Sequence, residues 1–134
     1  MTKVPYIIWK DEYEVDQGEL DSQHYRLFEI INKLYEATRS SASNDVLALL
    51  HEVREYSQRH FAAEEKLLRQ VHYPGLLEQQ QAHRGYVSTL ATISSEYYDN
   101  PSVLSEDLLL FLKNWWLYHI RTKDMEYIPY LKQA

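Results

Sequence analysis

The sequence predicts an all-α protein, folded as an up-down-up-down four-helix bundle with an N-terminal arm. Three glycines and four prolines among 134 residues leave room for few turns, which favours long helices over a β architecture. Apolar side chains recur at helical spacing along four stretches, and the short breaks between them are typical of antiparallel neighbours in a bundle. Because a chain of this length suits one hydrophobic core, we predict a single domain over residues 1–134.

The first part of the chain divides into the arm and the first helix. The arm, residues 1 to about 15, carries aromatic residues without helical or strand period, so we expect it to lie along the bundle and bury them there. The first helix is predicted over about 16–39. Asp16 can cap it, with Glu19 three residues later as in a capping box, and the helix should stop in the small residues at 40–43.

Two further breaks delimit the other helices, which are predicted over about 44–71, 76–98 and 102–125. Asn44 or Asp45 starts the second helix, and a Pro-Gly pair separates it from the third. The fourth helix is predicted to be capped by Asn100 or Ser102, with Pro101 tolerated in its first turn.

Composition excludes several classes of function. A formal net charge of −6 without any basic cluster argues against a nucleic-acid partner. The absence of cysteine excludes disulfides, cysteine nucleophiles, zinc ribbons and iron–sulfur clusters. No stretch approaches the ~20 apolar residues that span a bilayer, and no apolar run near Met1 suits a signal peptide. We therefore expect a cytoplasmic protein with no membrane partner.

His60 and Glu64 form the most informative pair in the sequence. On an α-helix a residue and its fourth neighbour project from one face, so an imidazole lies beside a carboxylate. This face is otherwise largely apolar and includes Val53 and Leu68. Because a bare polar pair is expensive to bury, the two side chains must be matched or must bind something. Glu65, one position later, is expected to point off the site.

Each predicted helix carries one histidine on its inward face. Two carboxylates, one on the second helix and one on the fourth, accompany these four histidines. The six residues are His24, His60, His83, His119, Glu64 and Asp124. A single histidine on an apolar face is more often a satisfied core residue than a ligand. Four of them would need four separate buried partners, and the sequence offers no obvious set. We interpret the remaining two, His51 and His72, as surface residues.

The ligand types narrow the choice of metal. Imidazole and carboxylate without thiolate suit iron, manganese or zinc. Six protein ligands are too many for one tetrahedral zinc with an open position, whereas two metals that share Glu64 and Asp124 fit the number. Five residues of regular α-helix would leave His119 and Asp124 about 140° apart, so the helix must widen there, as in a π-bulge, or end.

The blocks around these residues form a specific pattern over nearly the whole chain. They are Trp9 with the acidic arm, Asp21-Ser22-Gln23-His24, His60-Phe61-x-x-Glu64-Glu65, Tyr73-Pro74, Trp115-x-x-x-His119-Ile120-x-x-x-Asp124 and Tyr127-x-Pro129-Tyr130-Leu131. Together they resemble the hemerythrins in their bacterial single-domain form.

The resemblance implies a non-haem di-iron centre, with two iron ions (Fe2+/Fe3+) joined by a bridging oxo or hydroxo group. It assigns His24 and His60 to one iron and His83 and His119 to the other. Glu64 and Asp124 would bridge the two. The implied partner is O2, or another small diatomic or anionic ligand.

One position departs from the family pattern. The family places a further histidine ligand four residues before the one at His83, and here that residue is Gln79. A glutamine oxygen is a neutral, weak donor, so Gln79 is predicted either to bind weakly or to stand beside the site and leave room for water.

Two classes of function follow, and one is disfavoured. The first is an O2-binding protein that acts as a carrier, store or sensor. The second is a di-iron oxidase or peroxidase whose iron site is more open because of Gln79. A metal-free bundle used for interactions has the four inward histidines against it.

Overall fold

In the computed structural model, residues 4–16, 18–39, 43–99 and 105–132 are described, without the side chains of residues 43, 44, 99 and 105. Four long helices dominate, and these residues include no strand. The helices are α1 (Glu19–Arg39), α2 (Ser43–Gln70), α3 (Leu76–Asp99) and α4 (Ser105–His119). A 3-10 turn, Asp11–Tyr13, precedes them, and a π-helix, Ile120–Asp124, and a short helix α5, Ile128–Lys132, follow.

Consecutive helices pack against each other, and α1 also packs against α4, which closes the bundle. Since short connections join packed neighbours, successive helices run in opposite directions. The predicted up-down-up-down fold is therefore confirmed. None of the described helices is both long enough and apolar enough to span a membrane. The predicted caps at Asn100 and Ser102 lie outside the described residues.

The start of α1 differs in detail from the predicted capping box. The Asp16 carboxylate accepts hydrogen bonds from backbone N–H groups that include those of Leu20 and Asp21 at 2.9 and 3.1 Å, so Asp16 does cap. The reciprocal contact comes from Asp21, whose Oδ1 accepts from Val15 N–H at 2.8 Å. The helix begins at Glu19, three residues later than predicted, and this shift moves the capping-box position from Glu19 to Asp21.

The N-terminal arm lies along the bundle, as expected. Ile7 is buried, and its backbone exchanges two hydrogen bonds with the side-chain amide of Asn32 at 2.9 and 3.0 Å. The Tyr6 ring stacks on Tyr35 with centroids 4.6 Å apart, and Trp9 packs edge-on against α1. The arm thus covers one side of the bundle beside the layer that contains the inward histidines.

The apolar core forms two clusters with a polar layer between them. On α1 the smaller cluster includes Leu20 and the larger includes Leu27. On α2 the larger cluster includes Phe61 and the smaller includes Leu68. The turn of helix between these positions carries the polar residues, so close-packed apolar side chains separate them from water on both sides.

Candidate metal centre

The structure brings all six predicted ligands into one buried layer. His24 lies on α1, His60 and Glu64 on α2, His83 on α3, His119 at the end of α4, and Asp124 at the end of the π-helix. Each is at most 3% exposed. The two other histidines, His51 and His72, are exposed, as the sequence predicted. Four helices of different sequence thus contribute to a single site.

Glu64 presents one carboxylate oxygen to each of two histidine pairs. Its Oε1 lies 3.0 Å from His83 Nε2. Its Oε2 lies 3.4 Å from His60 Nε2 and 4.0 Å from His24 Nε2. A carboxylate placed in this way can share two cations, one on each side.

Asp124, on the π-helix, repeats this arrangement. Its Oδ2 lies 3.4 Å from His24 Nε2, and its Oδ1 lies 3.2 Å from His119 Nε2. The two carboxylates therefore divide the histidines in the same way. We refer below to the first pair (His24 and His60) and the second pair (His83 and His119).

The π-helix is what aims Asp124 into the layer. Met125 N–H donates to the carbonyl of Ile120, five residues back, which widens the turn. The wide turn rotates Asp124 onto the face that carries His119, and Asp124 is fully buried. The prediction that the helix widens between these two residues is confirmed.

Buried polar atoms without a hydrogen-bond partner among the described residues concentrate in this layer. They are Nδ1 and Nε2 of His24, Nε2 of His60, His83 and His119, Oε1 of Glu64 and Gln79, and Oδ2 of Asp124; Ser94 Oγ, elsewhere on α3, completes the set. Buried polar groups are costly unless something pairs with them. Imidazole nitrogens and carboxylate oxygens are metal ligands, so cations between them would satisfy most of the set.

The ligand atoms also lie close enough together to hold cations. His24, His60 and Glu64 form one group, and Glu64, His83 and His119 form another. Within each group, one ligand atom per residue lies within 4.8 Å of the others. Because Glu64 belongs to both groups, the arrangement suits a dinuclear site.

Electrostatics favour a cation in this layer. Although burial opposes ionisation, the imidazoles of His60 and His83 hold the pKa of the Glu64 carboxyl well below its usual range. Burial and the Glu64 charge oppose ionisation of Asp124, but its two facing imidazoles lower its pKa. The pKa shifts therefore favour the ionised form of both carboxyls, and buried negative charges need positive charge beside them, from the imidazoles or from a bound cation.

Two histidines are oriented from behind by side chains that the sequence analysis did not assign. His60 Nδ1–H donates to Gln23 Oε1 at 2.7 Å, and His83 Nδ1–H donates to Glu65 Oε2 at 2.7 Å. These bonds fix the tautomer in which Nε2 carries its lone pair toward the layer. Glu65 lies outside the ring of facing atoms, but it does not simply point off the site as expected. Its contact with His83 crosses from α2 to α3.

Aromatic side chains enclose the layer. The Phe61 ring stacks on His83 at 3.9 Å between centroids, and Trp115 stacks on His119 at 4.3 Å. Tyr127 is fully buried, and its hydroxyl donates to Glu64 Oε2 at 2.9 Å. Burial and the nearby carboxylates raise the pKa of Tyr127 well above its usual range, so it stays a phenol and a donor.

Gln79 also lies in this layer and is 2% exposed. Its amide nitrogen donates to Asp124 Oδ1 at 3.1 Å and to the backbone carbonyl of Lys123 at 3.2 Å. The sequence position, one turn before His83, predicted an inward side chain. Sequence alone did not show which end of the amide faces Asp124.

Comparison with known proteins agrees with this geometry. A family model described as the hemerythrin HHE cation binding domain matches residues 16–131. The bacteriohemerythrin of Clostridium acetobutylicum is 32% identical over 127 residues, covering 90% of this chain and 98% of that relative. The myohemerythrin of Riftia pachyptila is 28% identical, covering 92% of this chain and 91% of its own length. A solved wild-type hemerythrin structure superposes with a TM-score of 0.85 at 23% identity, covering 93% of this chain and 97% of that one.

Proposed function

Because the chain belongs to the hemerythrin family, we propose that it is a non-haem di-iron protein that binds O2 reversibly, as a carrier, store or sensor. The observation that carries the proposal is the way in which each of the two carboxylates faces both pairs of histidines. Glu64 and Asp124 each turn one oxygen toward the first pair of histidines and the other oxygen toward the second. Such a cradle suits two cations side by side.

In this proposal the first pair would hold one iron and the second pair the other, and Glu64 and Asp124 would be shared between them. The unpartnered nitrogens and oxygens of the layer support the assignment because they are the donor types that iron accepts. An oxo or hydroxo group would complete the bridge. When bound, the iron pair supplies the electrons that reversible O2 binding requires.

The chain's own residues keep the centre dry and hold its ligands in place. Phe61, Trp115 and Trp116 pack around the histidine rings, and Trp116 is fully buried. Tyr127 holds one oxygen of Glu64 through its hydroxyl. Exclusion of water limits proton access to the bound ligand, which favours its release unchanged.

A spectroscopic titration tests the proposal. Protein purified with iron is reduced without air, exposed to O2 and then returned to low O2, while metal content and the visible spectrum are measured. We expect about two irons per chain, as two ligand groups require, and a colour that disappears when O2 is withdrawn. Stoichiometric zinc, or only one firmly held ion, would contradict the di-iron assignment.

One observation favours a second candidate, a di-iron oxidase or peroxidase. The second pair has no third histidine, and the Gln79 nitrogen faces Asp124. An iron with fewer protein ligands leaves more room for an exogenous molecule. The same titration separates the two functions, since peroxide release or irreversible oxidation would indicate catalysis. The cytoplasmic location remains a prediction from the sequence.

A further inference from the structure

Gln79 lies where α3 meets the π-helix, and both hydrogens of its amide have a partner. One is donated to Asp124 Oδ1 at 3.1 Å and the other to the carbonyl of Lys123 at 3.2 Å. Its oxygen has no partner among the described residues. The amide nitrogen of Gln79 is therefore bound to protein acceptors. A glutamine at this position could otherwise be interpreted as a metal ligand through its oxygen.

The orientation of this amide follows from chemistry. A carboxylate oxygen and a backbone carbonyl are both acceptors, so only the nitrogen end of Gln79 can face them. The bond to Asp124 involves a charged acceptor, which makes it stronger than a bond between neutral groups. Since Gln79 is almost fully buried, water does not replace either bond cheaply.

The two bonds restrain Asp124 at two levels. The Asp124 oxygen that accepts from Gln79 is Oδ1, the oxygen that faces His119. The Lys123 carbonyl belongs to the residue just before Asp124, within the widened turn. One amide thus holds both the carboxylate and the stretch of backbone that carries it.

We propose that Gln79 is a positioning residue, which acts through its amide nitrogen on Asp124 and the π-helix and does not act as a ligand through its oxygen. The inference rests on the proposed function only in taking Asp124 as a bridging ligand. Residues that orient a ligand contribute about 10–100-fold to metal affinity. Gln79, four positions before His83, would then support the site by holding the Asp124 carboxylate.

Substitution by glutamate separates the two roles. Glutamate keeps an oxygen donor of similar reach, so a ligand role through oxygen would survive in Gln79→Glu. An ionised glutamate has no hydrogen to donate and a protonated one has a single hydrogen, so at least one of the two bonds to Asp124 and Lys123 would be lost. Gln79→Leu removes both roles, and Gln81→Glu, at an exposed position on the same helix, is the matched charge control.

The readout is backbone hydrogen exchange of residues 120–125 in the iron-loaded protein, with iron content measured on the same samples and exchange compared at equal content. We expect exchange to be several-fold faster in both Gln79→Glu and Gln79→Leu and unchanged in Gln81→Glu. We also expect iron affinity to fall about 10–100-fold in Gln79→Leu, measured by competition with a chelator.

Exchange at the parent rate in Gln79→Glu, with iron retained, would overturn the proposal and indicate an oxygen ligand. Parent-like exchange and iron retention in both variants would also overturn it, since Gln79 would then be a spectator. If Gln79→Leu does not fold, Gln79→Glu and its control still decide. The iron content of the unsubstituted protein judges the proposed function separately.

Discussion

The two histidine pairs are equal in number but differ in what stands behind them. In the first pair, His60 is backed by the neutral amide of Gln23, whereas in the second pair His83 is backed by the carboxylate of Glu65. Burial and the neighbouring His24 lower the pKa of His60, whereas the carboxylates of Glu64 and Glu65 outweigh burial and raise the pKa of His83. The contrast is between these two residues, since the carboxylates of Asp124 and Glu64 also raise the pKa of His24. A charged partner makes an imidazole a stronger donor than a neutral one does.

If the two pairs hold iron as proposed, this difference would compensate for the imidazole that is absent at position 79. The second pair is the one at which the family places a further histidine, and it is also the one with the carboxylate behind it and with Gln79 against Asp124. In the proposed di-iron site, the second pair would have one imidazole fewer than the family pattern places there, and stronger donation from His83 would offset that loss. The following predictions remove, equalise or bypass this difference.

The largest effect is expected where the two pairs meet, at Glu64. Because Glu64 serves both pairs, Glu64→Ala should reduce iron from about two ions per chain to below one. Glu65→Ala touches only the second pair, so it should weaken iron binding there by about tenfold. Metal analysis after desalting measures both. Equal losses would mean that the glutamate facing the site has been wrongly identified.

Gln79→His should give the second pair a third imidazole. We expect iron release to a chelator to slow by about tenfold, because the second iron would gain an imidazole at a position where Gln79 supplies no ligand. We also expect the oxygenated protein to autoxidise more slowly. Stopped-flow absorbance and chelator competition test these expectations. The same autoxidation rate and the same iron retention as in the parent would show that residue 79 does not affect the second iron.

Exchanging the groups behind the rings should abolish or reverse the asymmetry. Glu65→Gln gives His83 a neutral partner like that of His60, and we expect up to about tenfold weaker binding at the second pair alone. Gln23→Glu makes the first pair resemble the second and should strengthen it. Removal of iron by a chelator should then show two phases, one for each pair. Gln23→Glu should change the phase of the first pair, and Glu65→Gln should change the phase of the second. Equal changes in both phases would contradict the assignment of Gln23 to the first pair and of Glu65 to the second.

The smallest effect on iron binding is expected from Tyr127→Phe, which removes a hydrogen bond to Glu64 without removing a ligand. One donor to a buried charged group contributes about 1–3 kcal/mol to the free energy of unfolding. Since Glu64 serves both pairs, both phases of iron release should quicken alike. Tyr130→Phe, whose ring packs on Tyr73 nearby, is the control. Chemical denaturation of the two variants gives the comparison, and equal stability would assign the Tyr127 hydroxyl no role.

The sequence carried enough information for the fold and for the residues of the layer because both depend on spacing along one helix. Helical geometry even required the wide turn between His119 and Asp124, and the structure contains it. The supporting contacts depend on which residues meet across helices, and spacing cannot show that. Gln23 reaches His60, 37 residues away, and Tyr127 reaches Glu64, 63 residues away.

Two further details could not come from the pattern. The sequence allowed the first helix to begin at several positions after Asp16. Because it begins at Glu19, the reciprocal cap is Asp21 and not Glu19. Gln79 has a donor end and an acceptor end on one side chain, so its inward direction did not say which end meets Asp124. The only sequence feature that pointed to a role for Glu65, which contacts His83, was its position in the His60–Glu65 block.

The π-helix can also be viewed as a single inserted residue. If one position such as the exposed Arg121 were deleted, Asp124 would become the fourth residue after His119, about 40° around a regular α-helix. Side chains beyond it, including Tyr127, would keep nearly their present directions. One codon gained or lost would therefore interconvert a regular helix and a widened one without dismantling the face they share.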